Sequence, residues 1–198
     1  NNLPCIAEKE IVAVDSIADE LMHYMVSEQG CYLASKEEQD ALTEVVLKGG
    51  KLNRKCVGRD AKTLLGMIGV QVPDNIRCIT FEGPKEHPLI AEELMMPILG
   101  VVRAKDFDDA VEQAVWLEHG NRHSAHIHSK NVDNITKYAK AIDTAILVKN
   151  GPSYSALGFG GEGFCTFTIA SRTGEGLTSA STFTKRRRCV MTDSLCIR

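Results

Sequence analysis

The sequence predicts an α/β fold in which a mainly parallel sheet is flanked by helices, with a β-rich C-terminal strand. Three observations carry that expectation. Short β-rich runs alternate with amphipathic patterns of helical length, the connection that right-handed βαβ crossovers need. Several helical patterns start at a capping side chain and two stop at glycine. From residue 151 onward the rhythm changes to Gly-rich turns and β-rich runs, with no further helix.

The elements follow in order. Glu10 to Val14 is a short apolar run that reads as the first strand. Asp15 can cap a helix through Glu28, whose residues Ile17, Leu21, Met22, Met25 and Val26 are expected on one face. Ser35 is the N-cap expected for an acidic helix from Lys36 to Leu47, ended by Gly49-Gly50, and Asp60 to Ile68 is a third helix closed by Gly69. A strand near Ile76 to Phe81 and the apolar run Ile98 to Val102 come next. Asp106 caps a helix from Phe107 to Leu117; a strand Ser124 to His128, a helix Val132 to Ile142 and a strand Ala145 to Lys149 complete the alternation. The tail then reads as a Gly-rich loop (Gly158 to Gly163), a strand Phe164 to Ala170, a turn at Gly174 and Gly176, and a closing strand from about Ser181 to Met191. No internal repeat or low-complexity linker interrupts it.

With 198 residues, 43% of them hydrophobic and 25% charged, the chain has the composition of a globular domain. Its net charge of −3 argues against general nucleic-acid binding, which rests on a basic excess. No apolar run approaches the roughly 20 residues that span a bilayer. The seven cysteines are odd in number, widely spread and without a Cys-x-x-Cys, so a disulfide framework is not expected and a reducing cytoplasm is. The chain opens at Asn1 with no initiator Met, which reads as a piece of something longer.

Four motifs are chemically suggestive. Gly158-Phe-Gly160-Gly161-Glu-Gly163 matches the dinucleotide string G-x-G-x-x-G, but that mechanism needs a helix N-terminus after the glycines, and the β-rich Phe164-Cys-Thr-Phe follows. A turn or tunnel wall is the better reading. Lys185 to Arg188 on a strand would split into two small charged sets, as on a solvated edge or an intersubunit strand. His119, His123, His126 and His128 crowd together, yet no Cys, Asp or Glu stands at ligand spacing among them, so a metal is not expected; one of them lining an active site is the preferred reading. Finally, Cys5 lies between an Asn-rich turn and the first strand, where it could simply be a buried thiol. The other six cysteines are read as ordinary thiols.

Several stretches, in order, resemble the CoA-acylating branch of the aldehyde dehydrogenase superfamily, and within it the propionaldehyde and acetaldehyde dehydrogenases of bacterial microcompartments. They are Asn1-Asn2-x-x-Cys5 with Glu8-Lys9; Val14 to Leu21; His87-Pro88 with Glu92 to Leu99; Ile142 to Pro152; Gly158 to Gly163; and Gly174 to Ala180. The resemblance implies that Cys5 attacks the aldehyde, that hydride passes to NAD, and that coenzyme A takes the acyl group from the resulting thioester. It implies cofactor contacts at Glu93 and Pro97, a role for His123 near the CoA or hydride-transfer site, and a substrate funnel bordered by Asn150, Gly151, Pro152, Gly160, Gly161 and Phe164. Residues 1–180 would be the catalytic domain and residues 181–198 an oligomerisation strand and tail, in a homodimer or dimer of dimers. The family's Gly-rich cofactor domain lies upstream of the nucleophile, so these residues alone are expected to be inactive. A microcompartment lumen or shell association is implied by resemblance alone. A hydrolytic aldehyde dehydrogenase and a non-catalytic assembly domain of the same fold are the alternatives.

Overall fold

The computed structural model describes residues 3–163, 165–166, 177–190 and 192. Strand β1 (Glu10–Val14) leads directly into α1 (Asp15–Ser27), for which Val14, not Asp15, is the N-cap. The Asp15 carboxylate instead pairs with Arg103 at 2.9 Å. The buried stripe of α1 runs through Ala18, Leu21, Met22 and Met25, while Ile17 is 53% exposed. The expected face holds at Leu21, Met22 and Met25 but is narrower, with Ala18 in place of Ile17 and Val26 exposed. Ala18, with its small side chain, sets the contact because it lets the helix approach Ala13 and Val101.

β2 (Cys31–Leu33), α2 (Lys36–Val46), α3 (Ala61–Met67), β3 (Cys78–Glu82), α4 (Pro88–Ala91) and β4 (Ile98–Ala104) complete the first unit. Its four strands are all parallel in the order β1-β4-β3-β2. α2 starts as its sequence predicts: Ser35 N–H donates to Glu38 Oε2 at 2.7 Å and Glu38 N–H donates to Ser35 Oγ at 3.3 Å. On β4, a Cβ at Gly100 would come within 2.4 Å of Ile90 Cγ1, so glycine is what allows α4 to lie on the sheet. Phe81, Leu89, Ile90 and Leu117 are fully buried around that contact.

α5 (Phe107–Leu117) begins at Asp106, whose side chain accepts the Asp109 N–H at 2.9 Å. It packs against β1 and β4 and also against α6 (Val132–Ile142). α6 crosses over between β5 (Ser124–Ile127) and β6 (Ile146–Lys149), which form a separate two-stranded parallel sheet. The mainly parallel α/β class therefore holds, with two sheets among the described residues where periodicity implied one. α5 accounts for the separation: Val111 joins Ala125, Ile127, Tyr138 and Ile142 in one apolar cluster, so the helix stands between the sheets.

The expected closing strand is corrected. Ala180–Phe183 is a 3₁₀ turn, and Ser179 N–H donates to Thr182 Oγ1 at 3.2 Å. Such local side-chain bonds give the backbone an alternative to a ladder. Residues 184–190, including Lys185 to Arg188, are exposed and form no strand. The predicted strand Phe164 to Ala170 and the Gly174 and Gly176 turn fall mostly or wholly outside the described residues. No described helix is long and apolar enough to cross a membrane.

Candidate active site

The segment before β1 is a tight turn closed by Ala7 N–H donating to Pro4 O at 2.9 Å. Its two central residues point apart. Ile6 is buried against Ile146, Val148 and Leu157, whereas the Cys5 thiol is exposed. An apolar anchor thus holds a free thiol outward, without β-ladder bonds of its own.

Cys5 opens onto a cavity of about 1090 Å³ bounded by β1, the stretch after α4, and α5, β5 and α6. Glu10, Glu93, His119, His123 and His126 also line it. Two contacts lock the nucleophile turn into this frame. Glu8 accepts from Ser153 N–H at 2.9 Å and from Ser153 Oγ at 3.1 Å, while Lys9 Nζ donates to Ile90 O at 2.9 Å and Ala91 O at 3.3 Å. Lys9 also pairs with Glu10 at 2.8 Å. Burial pushes the Glu10 carboxyl above the usual carboxylate range, and Lys9 and His119 pull it back. Burial likewise pushes the nearby Tyr138 phenol up to about 12, with Glu10 and Glu118 adding to it.

Glu93 follows α4 in an alternating stretch. Leu94 and Met96 are buried and Glu93 is exposed at the cavity, with Met95 in a left-handed conformation at φ 54°. Met95 O accepts the Gly58 N–H at 3.0 Å, which fixes that kink. Pro97 sits between cavity-lining Met96 and Ile98, but it is buried and its carbonyl accepts the Ile79 N–H at 2.8 Å. Its visible part is in joining β3 to β4.

His123 is aimed by its neighbours. Arg122, at φ 53°, is ion-paired with Asp143, and His123 N–H donates to Glu118 Oε1 at 3.1 Å. The ring Nδ1 lies 3.1 Å from Ser124 Oγ, a contact that orients the imidazole. Along β5, Ala125 and Ile127 turn into the α5–α6 cluster, and Ser124 and His126 take the other face. His126 is the register partner of Val148, which packs with Ile6 beneath the nucleophile turn. His126 Nε2 is buried without a hydrogen-bond partner among the described residues. Burial pulls this imidazole below its ordinary value; the Glu8 carboxylate opposes that pull and His128 adds to it.

The expected funnel residues occupy a neighbouring layer. Asn150, at φ 54°, clamps the chain after β5: its Oδ1 accepts the Ser129 N–H at 2.7 Å and its Nδ2 donates to Ser129 O at 2.8 Å. Gly151 and Pro152 lead into Ser153 and hence to Glu8. A Cβ at Gly161 would meet Ser155 O at 2.7 Å, while Gly160 adopts φ 72° and is unobstructed. Phe164 lies outside the described residues. Among the described residues no group of three or more His, Cys, Asp or Glu side chains converges as a metal site. Sequence reasoning missed Ser153 and the structural task of Glu8, and it named His126 only as one of a histidine group, without its burial. The charged triplet Glu8-Lys9-Glu10 ahead of a buried strand was the available signal, because charges there need partners.

Residues 61–182 match the aldehyde dehydrogenase family model. The chain belongs to the aldehyde dehydrogenase family. Within this family it is 46% identical to the acetylating acetaldehyde dehydrogenase EutE of Salmonella typhimurium, over 98% of this chain and 43% of that protein. It is 44% identical to the CoA-propanoylating propanal dehydrogenase of the same organism, over 100% of this chain and 42% of that one. Among solved structures it resembles a propionaldehyde dehydrogenase from the Clostridium phytofermentans fucose utilisation bacterial microcompartment, with 81% identity and a TM-score of 0.93 over 100% of this chain and 46% of the other. A propionaldehyde dehydrogenase of Rhodopseudomonas palustris, solved with bound CoA and an acylated cysteine, is 52% identical with a TM-score of 0.91 over 96% and 44% of the two chains. The chain therefore spans less than half the length of these family members.

Proposed function

We propose that the protein carrying these residues oxidises a short-chain aldehyde with NAD and coenzyme A to an acyl-CoA. The observation that carries this reading is the exposed Cys5 thiol on an anchored turn, opening onto the cavity that also presents Glu93 and His123. The relatives named above are acylating enzymes, and one was captured with its cysteine acylated. Variants of the Clostridium phytofermentans enzyme replace a cysteine and a histidine at the same spacing as Cys5 and His123.

The chemistry follows from the residues. Cys5 Sγ attacks the aldehyde carbon to form a thiohemiacetal, and the turn leaves its thiol unobstructed for that approach. The Cys5 backbone N–H is the proposed donor to the developing oxyanion. Glu93 is an acceptor-only carboxylate at the cavity and suits the hydroxyls of a nicotinamide ribose, with Pro97 holding the stretch it stands on. When bound, the nicotinamide accepts hydride from the thiohemiacetal carbon. Cys5 then carries the acyl group as a thioester, the CoA sulfur attacks its carbonyl carbon, and Cys5 leaves as a thiolate. His123 is the proposed acceptor of the CoA thiol proton, with Ser124 orienting its ring. Asn150 to Pro152 and the Gly160-Gly161 loop support the turn through Ser153.

Residues 1–180 form the catalytic part in this proposal, and 181–198 the segment through which copies associate as a dimer or dimer of dimers. Its exposed basic run suits that surface, and the microcompartment lumen is the proposed setting. The test is an assay of the whole protein that carries these residues with propanal and NAD+, with and without CoA. NADH formation is expected to require CoA and to vanish in Cys5→Ala, while His123→Ala should slow acyl transfer to CoA more than thioester formation. CoA-independent NADH production would replace the proposal with hydrolysis.

A further inference from the structure

Cys31 and Cys78 are register partners in the neighbouring parallel strands β2 and β3. Both lie in the small core beneath α1, beside Ala18 and Met25, and neither lines the Cys5 cavity. Neighbouring strands are about 4.8 Å apart, inside the roughly 4.4–6.8 Å window of Cα separations that a disulfide spans. The two thiols perturb each other: Cys31 beside it, together with burial, drives the Cys78 thiol far above the ordinary thiol value, the Cys31 thiol is drawn below it, and Cys78 Sγ donates to Ile79 O at 3.5 Å. Cys31 is buried and Cys78 half-buried, and β2 is the outermost strand of its sheet, so the pair lies close to the sheet edge. By contrast, buried Cys56 has a methionine sulfur, Met67 Sδ, at 3.8 Å.

We infer that Cys31 and Cys78 form a dithiol site that closes to a disulfide across β2 and β3 when the protein meets hydrogen peroxide. The Cys31 sulfur attacks one peroxide oxygen and the O–O bond breaks, giving a sulfenic acid and one water. The Cys78 sulfur then attacks the Cys31 sulfur and the S–O bond breaks, releasing a second water. Both sulfurs are oxidised, both peroxide oxygens are reduced, and the two thiol protons leave in the two waters. The product ties the chain entering β2 to β3 and encloses α2 and α3 in one covalent loop. Nothing in this step uses the proposed aldehyde chemistry.

The test treats the Cys5→Ser variant with hydrogen peroxide, so that the exposed Cys5 cannot compete. Remaining thiols are alkylated, and the protein is digested without reduction and analysed by mass spectrometry. The expected product is a linked peptide pair containing Cys31 and Cys78, lighter by two hydrogens than the separate peptides, lost on reduction and more abundant than any other linkage. A second sample, Cys78→Ala, should stop at a Cys31 sulfenic acid that dimedone traps. Recovery of both residues as alkylated thiols, or as separately over-oxidised acids, would overturn the inference.

Discussion

Around the four-stranded sheet the core is sealed: Phe81, Leu89, Ile90 and Leu117 are fully buried, and Gly100 is bare so that Ile90 can rest on it. Around the two-stranded sheet only one face of β5 is sealed, by α5 and α6, while Ser124 and His126 occupy the other. The alternation rule is the same in both. What differs is which groups it exposes to a cavity. Apolar residues packed around a sheet contribute stability, whereas a sheet with one polar face beside an anchored turn can position a thiol and an imidazole at the cost of a less complete core.

That contrast can be broken by substitution. Phe81→Ala, in the sealed region, should lower unfolding free energy by about 3–5 kcal/mol in denaturant titration. Ile6→Ala should cost about 2–4 kcal/mol and also cut turnover, since it loosens the Cys5 anchor. If both variants lost stability and activity in the same proportion, the two regions would not differ as described. Glu8→Ala leaves the Ser153 N–H and hydroxyl unpaired and is expected to cost about 1–3 kcal/mol, again with an activity loss that exceeds the stability loss.

Acidification sharpens the comparison. Burial pulls His87 and His126 below the ordinary imidazole value, so between about pH 6.5 and their folded values the unfolded chain binds protons that the native chain refuses. Stability should therefore fall as the pH drops below about 6.5. For His87 the neutral ring is needed, because its Nδ1 accepts the Leu89 N–H at 3.2 Å that starts α4. His126→Leu should flatten the dependence in a series of melting curves and remove an unpartnered buried nitrogen as well. The smallest effect is expected at Lys36 and Asp40, both 66% exposed, where Lys36→Ala should change stability by no more than about 0.5 kcal/mol.

Much of the sealed region was legible because its signals are local. Ser35 with Glu38 marks the start of α2, and Asp106 with the following periodic run marks α5. β2 was not, since three residues cannot show an alternation, and α4 is only four residues long. On α1, periodicity identified a helix but not which neighbour would press on it, so Ile17 was assigned inward in place of Ala18. The site divides similarly. Cys5, Glu93 and His123 were singled out through the family resemblance and all three line the cavity, whereas Glu8 meets Ser153 across a sequence separation of 145, which no short-range pattern encodes.

The pairing of β1 with β4 has a consequence for the order in which the molecule assembles. Glu10 is in register with Gly100, so the strand behind the thiol turn has no ladder partner until most of the four-stranded unit has been synthesised. At roughly 5–20 residues per second that wait lasts several seconds, and the Ser153 contact comes later still. Cys5 is translated well before the strand that positions it. Until then the turn that aims this sulfur has no strand behind it, so the thiol takes up its place facing the cavity only after the residues around position 100 have emerged.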